Sequence, residues 1–354
     1  MEPVTHFLTG ACIGRAGLNR KTAYATLVTT LAAEFPDIDV VLNFRGPLVA
    51  FQHHRGFTHT LAGLPFNAAV VLAILYGVHR WRAARGHSTI LPVRWGLLYV
   101  YGLIAGISHI LLDFTNNYGV RPFEPLNWTW YEWDIVFIIE PVILAVLLLG
   151  LVMPALFSLV GQEVAGRREH FRGRGGALFA LISIVLIWGV RDFYHRKAVT
   201  ALEYQSYNGE DPKRVAAMPY PANPFRWAGV VETENAFQTM DIDALNGIVD
   251  PQGRTQVYGK PEETPVTLAA KKSWLGRIYL SWAKFPLVES EPVQEPPGGH
   301  MVRFRDLRFA YFPIRIGNPT ETEMRRVLGA SVLLDKDLNV VEMKVGTHIQ
   351  QIPD

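Results

Sequence analysis

Apolar positions in the first 190 residues come in long uncharged runs, whereas beyond residue 195 they alternate with polar ones. Thr60 to Val78 is 19 residues without a charge, Trp95 to Leu112 is 18 residues whose only ionisable group is His109, and Ile135 to Val160 is broken only by Glu140. Gly176 to Val190 is a shorter run that needs its flanks to span. A bilayer core of roughly 30 Å takes about 20 apolar residues of helix, so the first three runs predict membrane-spanning helices. Ahead of them, Val4 to Leu18 and Thr22 to Phe35 are helix-compatible arms joined by the basic turn Arg15 to Lys21, which predicts a hairpin whose arms each reach about 20 Å. Glu2 and Arg15 break the pattern of a cleaved leader, and the hairpin is expected to be retained.

The second half reads differently. Asp192 to Tyr207 predicts an amphipathic helix leaving the last span, and Pro219 to Pro224 punctuates the chain after it. Trp227 to Glu232, Thr255 to Tyr258, Met301 to Phe312, Ala330 to Leu334 and Val340 to Val345 alternate as half-buried strands do, the last two joined by a turn at 335–339. Thr267 to Lys284 predicts a helix, and Glu289 to Gly299 a loop rich in Pro and Glu. The expected architecture is mainly α: a polytopic transmembrane bundle over 1–194, made of the hairpin and about four spans, followed by a small soluble α+β domain over 195–354.

Charge sharpens this division. The 354 residues carry 34 Lys+Arg against 32 Asp+Glu, a net charge of +2, and the mean hydropathy is +0.13. Residues 1–194 hold 15 basic and 12 acidic side chains, leaving 19 and 20 for the shorter remainder. A near-neutral chain without a concentrated basic surface gives no reason to expect a nucleic-acid partner. The basic residues of the first part gather in loops: Arg80, Arg82, Arg85 and Arg94 in 79–94, and Arg167, Arg168, Arg172 and Arg174 in 161–175. Enrichment of Lys and Arg marks cytoplasmic connections. These loops and the hairpin turn are then inside, while 36–59, 114–134 and everything after about 194 fall outside the cell membrane. Trp128, Trp130, Tyr131 and Trp133 would form an interfacial aromatic belt.

On this map, one membrane face collects His6, Asp37, Asp39, His53, His54, Arg55, His59, His109 and Asp113, including five of the 11 histidines. His109 and Asp113, four apart, share a helix face. The single cysteine, Cys12, excludes a Cys-rich site, and imidazole with carboxylate is the ligand set of divalent ions such as zinc. The candidate ligands are His6, Asp37, Asp39, His53, His54, His59, His109 and Asp113, more than one tetrahedral ion uses. Two ions, or one ion with outer orienting groups, both satisfy the count.

His6, Pro36-Asp37-Ile38-Asp39, His54-Arg55-Gly56-Phe57-Thr58-His59-Thr60, Ser108-His109-Ile110-Leu111-Leu112-Asp113 and Asn117 to Pro122, in that order, resemble the membrane-bound metal-dependent hydrolase family. That family is also described as LexA-binding, inner-membrane-associated hydrolases. The resemblance covers roughly 1–160, including Phe137 to Pro141, where Glu140 stands at a position expected to favour Asp. It implies a metal site and hydrolase chemistry in an inner membrane.

The residues suggest roles consistent with this. A metal-activated water would attack an ester or phosphoester of a lipid or lipid-linked substrate, with Asp39 or Asp113 as general base. Arg55 or Arg121 would clamp substrate charge, although Arg55 could equally pair with Asp37 or Asp39. Glu140, placed inside a membrane helix, is expected to back the His109 and Asp113 helix or to make a structural hydrogen bond. The C-terminal domain carries no catalytic motif and is expected to lid the site or bind a protein partner. The competing class is a non-catalytic membrane metal-binding or interaction protein.

Overall fold

The computed structural model describes residues 1–165, 173–311 and 328–350. They form two compact units, Met1–Asp39 with Arg55–Asp192, and Val40–His54 with Phe193–Asp354. The division at Asp192 lies close to the change in charge pattern, but the second unit also takes in 40–54 from within the apolar half.

In the first unit, α1 (Pro3–Arg15) and α2 (Ala25–Glu34) form the hairpin. Pro3 opens α1, where a missing N–H costs nothing, and the Glu2 carboxylate accepts the N–H of Thr5. Gly10 and Gly14 let the two arms touch: a Cβ on Gly10 would stand 2.4 Å from the Thr29 carbonyl oxygen, and one on Gly14 2.5 Å from Thr26 Cα. Small residues four apart are the standard means of close helix approach in a membrane.

The chain next runs through a 3-10 segment, Phe35–Arg45, into α3 (Pro47–His53), which belongs to the second unit. It returns through Phe57–His59 to α4 (Leu64–Ala84) and α5 (Trp95–Phe114). On α5, Tyr101, Gly102, Ala105, His109 and Asp113 are buried, while Val100, Ile104, Ile107 and Leu111 form an exposed apolar stripe. The unit is completed by α6 (Pro141–Ala165) and α7 (Arg174–Glu203), the latter running on into the second unit. Gly150 and Gly176 meet where α6 and α7 pack: a Cβ on Gly150 would stand 2.6 Å from the Gly176 carbonyl oxygen, and one on Gly176 2.3 Å from that of Gly150.

Two helices, α5 and α7, are long and apolar enough to cross a bilayer, and a third crossing is added if Pro47–His59 and α4 are one broken span. Among the described residues, the N-terminal region is thus mainly helical with two to three candidate spans, against the hairpin and about four spans expected. The Ile135 to Val160 run differs from expectation at its start. Residues up to Glu140 are not helical because they pair with the turn after α5: Ile135 and Val136 both donate to the Thr115 carbonyl. The apolar helix starts at Pro141, and its stretch to Pro154 belongs to the shorter class. Conversely, the short run at 176–190 lies within the 30 residues of α7, which continues to Glu203 through most of the helical stretch expected at 192–207. Glu140 therefore does not lie inside a helix; it immediately precedes α6. Of the basic loop residues, Arg167, Arg168 and Arg172 lie outside the described residues.

The second unit holds two antiparallel five-stranded sheets. In the first, β1 (Arg214–Pro219), β2 (Arg226–Glu232), β3 (Ala236–Asp243) and β4 (Ile248–Val249) follow chain order, and β5 (Gln256–Gly259) also pairs with β3. Five successive residues of β2, Trp227 to Val231, are buried, as in a strand covered on both faces. Trp227 and Val231 pack with Ala198 and Leu202 from the end of α7, and Val230 with Phe285, Leu287 and Leu307. The helix expected over 267–284 is two, α8 (Pro265–Lys272) and α9 (Trp274–Trp282), broken at Ser273, whose hydroxyl caps α9 by accepting the N–H of Gly276. The second sheet runs β10 (His348–Gln350), β9 (Val340–Val345), β8 (Ala330–Leu334), β7 (His300–Asp306), β6 (Pro286–Pro292). Strand β6 takes the first residues of the expected 289–299 loop. The run expected to 312 ends as a strand at Asp306, and Phe312 lies outside the described residues.

The segment 40–54 is integral to this unit. Leu48 is buried, its N–H donates to Gln350 Oε1 at 3.0 Å, Gln52 accepts from the Trp274 indole at 3.1 Å, and Phe51 packs edge-on against Trp282.

Candidate metal centre

Four elements of the first unit converge on one buried cluster. Asp37 and Asp39 follow α2, where Pro36 ends the helical hydrogen bonding; Arg55 and His59 flank the turn into α4; His6 sits on α1; His109 and Asp113 occupy one face of α5. His6, His59, His109 and Asp113 are fully buried.

The imidazole of His109 carries the chemistry. Its Nδ1 lies 2.6 Å from the carbonyl oxygen of Ala33, which can only accept, so the ring proton is on Nδ1 and the lone pair on Nε2. That Nε2 has no hydrogen-bond partner and faces two carboxylate oxygens, Asp113 Oδ2 at 3.5 Å and Asp37 Oδ1 at 3.6 Å. His59 Nε2 lies 3.5 Å from Asp113 Oδ2 and makes a 3.3 Å hydrogen bond with Asp37 Oδ1, while its Nδ1 lies 3.6 Å from Asp39 Oδ2 and 3.1 Å from the Thr58 hydroxyl. The His109 lone pair and the two carboxylate oxygens it faces repel in a buried site unless a cation lies between them. A tetrahedral ion with arms of about 2.0–2.1 Å needs ligand atoms about 3.4 Å apart, and Asp37 Oδ1 lies 3.3 Å from His59 Nε2 and 3.6 Å from His109 Nε2. Asp37, His59 and His109 therefore form a group that fits a divalent ion, with Asp113 Oδ2 beside both imidazoles. His6 forms a second ligand group with His109 and Asp113, its ring stacked on His109 at 3.7 Å.

The other oxygen of Asp113 faces three nitrogens. Arg55 Nη2 stands 2.9 Å from Oδ1, His6 Nε2 3.4 Å, and the Met1 α-amine also contacts it. Arg55 adopts a left-handed backbone, φ 53°, a conformation that costs a bulky residue about 1–3 kcal/mol and persists only where the surroundings enforce it. They do so here: its N–H donates to Asp39 Oδ2 at 2.8 Å, and its Nη1 donates to the Gly119 carbonyl at 2.7 Å and to Asn116 Oδ1 at 3.3 Å.

Not every candidate residue joins the cluster. His53 is exposed and His54 half-buried at the end of α3, in the second unit, and neither belongs to a ligand group. Asp39 backs His59 and Arg55 and is likewise outside both groups. Arg121 lies over the rings of Trp130 and Trp128, at 4.6 and 5.7 Å, beside Glu124. The Glu140 carboxylate pairs with Arg191 of α7 at 2.8 Å. Sequence reasoning missed Glu34, whose Oε2 is buried without a hydrogen-bond partner, and Asn116, which braces Arg55. Both stand one to three residues from the motifs and were legible only as neighbours.

A helical unit with candidate spans, enclosing a His and carboxylate cluster, defines a membrane protein with a candidate metal centre. Residues 1–198 match the family model described as YdjM inner membrane protein, and the chain belongs to that family. It is also 28% identical over 321 residues, 87% of each chain, to the uncharacterized protein YfhP of Bacillus subtilis (strain 168). No solved structure matches.

Proposed function

We propose that this chain is a metal-dependent hydrolase acting on an ester or phosphoester of a lipid or lipid-linked substrate at the outer face of the inner membrane. The observation that carries this reading is the bare Nε2 of His109, which faces carboxylate oxygens of Asp37 and Asp113 beside the imidazole of His59. A bound ion of this ligand type, zinc being our choice, would lower the pKa of a water towards about 7 and make it a nucleophile at neutral pH. Asp39 holds His59 and the strained backbone of Arg55 in place, the role of an outer carboxylate behind a metal-binding imidazole. Arg55, its charge held in the buried site by Asp113, would stabilise negative charge developing on the substrate. With Asp113 and Asp39 so engaged, Glu34 Oε2 and Asp37 Oδ2, both buried without a hydrogen-bond partner, are the carboxylate oxygens we assign to accept a proton.

The amphiphilic substrate class follows from the inner membrane family and the aromatic loop after α5; the outer orientation rests on the basic loops at 80–94 and 167–174. Metal analysis of detergent-purified protein tests the reading, together with product release from a panel of phospholipids and generic phosphoesters. One bound ion or more, lost in His109→Ala together with activity, is expected. A full metal complement without turnover on any substrate would favour a metal-binding or interaction protein, and a metal-free wild type would overturn the centre. Reporter fusions placing the C-terminal unit in the cytoplasm would overturn the orientation.

A further inference from the structure

The segment after α5 exposes apolar side chains where a soluble loop would expose polar ones. Leu126 is 94% exposed, Trp128 61% and Phe123 46%. They do not belong to a slack connection. Val120 and Tyr131 exchange both backbone hydrogen bonds at 2.9 Å and close the loop at its base. Leu126 and Asn127 both donate to the Phe123 carbonyl, and Asn127 Nδ2 donates to the Tyr131 hydroxyl at 3.1 Å. Below the tip, cations and rings alternate inward. Arg121 lies against Trp128 and Trp130, Trp130 packs edge-on against Tyr118 at 5.9 Å, and Tyr118 lies under the Arg55 guanidinium at 4.8 Å. Arg55 ends this stack on Asp113. A braced loop that keeps its largest apolar groups in the open presents them to something.

We propose that residues 120–131 form an interfacial finger whose tip, Phe123, Leu126 and Trp128, seats in the boundary between headgroups and acyl chains, and so fixes the metal centre at the depth of the lipid headgroups. Three observations choose a lipid surface as the occupant. The 20 residues of α5 rise about 30 Å, one bilayer core, and the finger starts six residues after that helix ends. The exposed stripe of α5, Val100, Ile104, Ile107 and Leu111, runs towards the same end, so the apolar surface is continuous. The tip offers Phe123, Pro125, Leu126 and Trp128 among Glu124, Asn127 and Thr129, too little for a specific protein interface of about 1,000 Å² but the composition of an interfacial anchor, with Trp and Arg at headgroup level. The inference rests on the membrane placement of α5 and not on hydrolysis, so it can fail while the metal centre stands, and the reverse.

Cys12, the only cysteine, is buried, so an introduced thiol can be labelled selectively. The test uses the full chain carrying Leu126→Cys, labelled with an environment-sensitive fluorophore and reconstituted in phosphatidylcholine and phosphatidylglycerol nanodiscs. Asp337→Cys, in the exposed β8–β9 turn, is the aqueous reference, and unlabelled wild type gives the background from Cys12. Blue-shifted emission at 126, at least threefold lower quenching by iodide than at 337, and stronger quenching by nitroxide on the upper acyl chain than near its end are expected. Iodide access and emission equal to those at 337 would overturn the proposal. Shielding from iodide without any quenching by nitroxide lipid would overturn it too, by assigning the tip to a protein surface.

Discussion

Arg55 is the residue on which the centre turns. Its backbone is held by Asp39 and its guanidinium by Asp113, Asn116 and Gly119, so one side chain ties the segment after α2 to the end of α5. Asp39 supports both Arg55 and His59 from behind, and outer carboxylates of this kind typically contribute 10–100-fold, on the order of that range, to metal affinity. Asp39→Asn keeps an acceptor for the Arg55 N–H but removes the charge behind His59 Nδ1. We expect metal affinity to fall within that range, read by chelator competition, with thermal stability near wild type. Asp39→Ala should lose both affinity and stability. An affinity unchanged in Asp39→Asn would show that His59 needs no such support. In the second unit, Lys284 is half-buried and its amine is pushed down to about 8 by burial first and by the neighbouring Arg308 second, Asp306 opposing. An unfolded chain holds that proton up to its ordinary value of 10.5. Between about pH 8 and 10.5 the unfolded state therefore binds more protons, and this group's contribution to stability rises with pH. Lys284→Met should flatten that rise in chemical denaturation of the full protein across this window.

At the scale of elements, close backbone contact decides the packing. The crossings of α1 with α2 and of α6 with α7 leave no room for a Cβ at Gly10, Gly14, Gly150 or Gly176. Gly176→Val forces α6 and α7 apart and should destabilise the first unit by about 1–3 kcal/mol, read as a lower thermal midpoint in detergent. Gly77→Val, at a glycine with open space around it, is the control. The sequence carried these elements unevenly. The α5 run was legible because its apolar stretch and its helix coincide, and the convergence of residues 37, 59, 109 and 113 on one cluster because they sit in compact motifs at element ends. Glu140 was misplaced because an apolar run does not reveal where a helix starts: Ile135 to Ile139 are apolar, yet the backbone of Ile135 and Val136 is spent on Thr115. Strand β1 went unread because its burial does not alternate, whereas β3 alternates over Met240–Asp243 and was simply passed over. His53 and His54 look equivalent to His59 in sequence, and only the turn of the chain after α3 separates them.

For the whole molecule, the charge boundary near 194 marked the passage from apolar to ordinary protein, but no composition signal marked 40–54 as part of the second unit. That membership is a packing fact, carried by Leu48, Phe51 and Gln52. Removing a fully buried leucine costs about 2–5 kcal/mol, so Leu48→Ala should raise hydrogen exchange in β9, β10 and α9 while leaving α1 and α2 protected. Equal loss of protection in both units would show that they unfold as one.

The excursion through α3 also orders events in time. Leu48 is synthesised 302 residues before the Gln350 side chain that receives its N–H, an interval of roughly 15–60 s at ribosomal speed. Asp37 and Asp39 lie just before that excursion, Arg55 and His59 just after it. During the interval α3 has no β9 or β10 to pack on, so the segment between the two pairs of site residues lacks its own packing partners. Assembly of the ligand set is then a late event in the life of the nascent chain. Metal loading followed on stalled ribosomes should be weak until the strand around Gln350 has emerged.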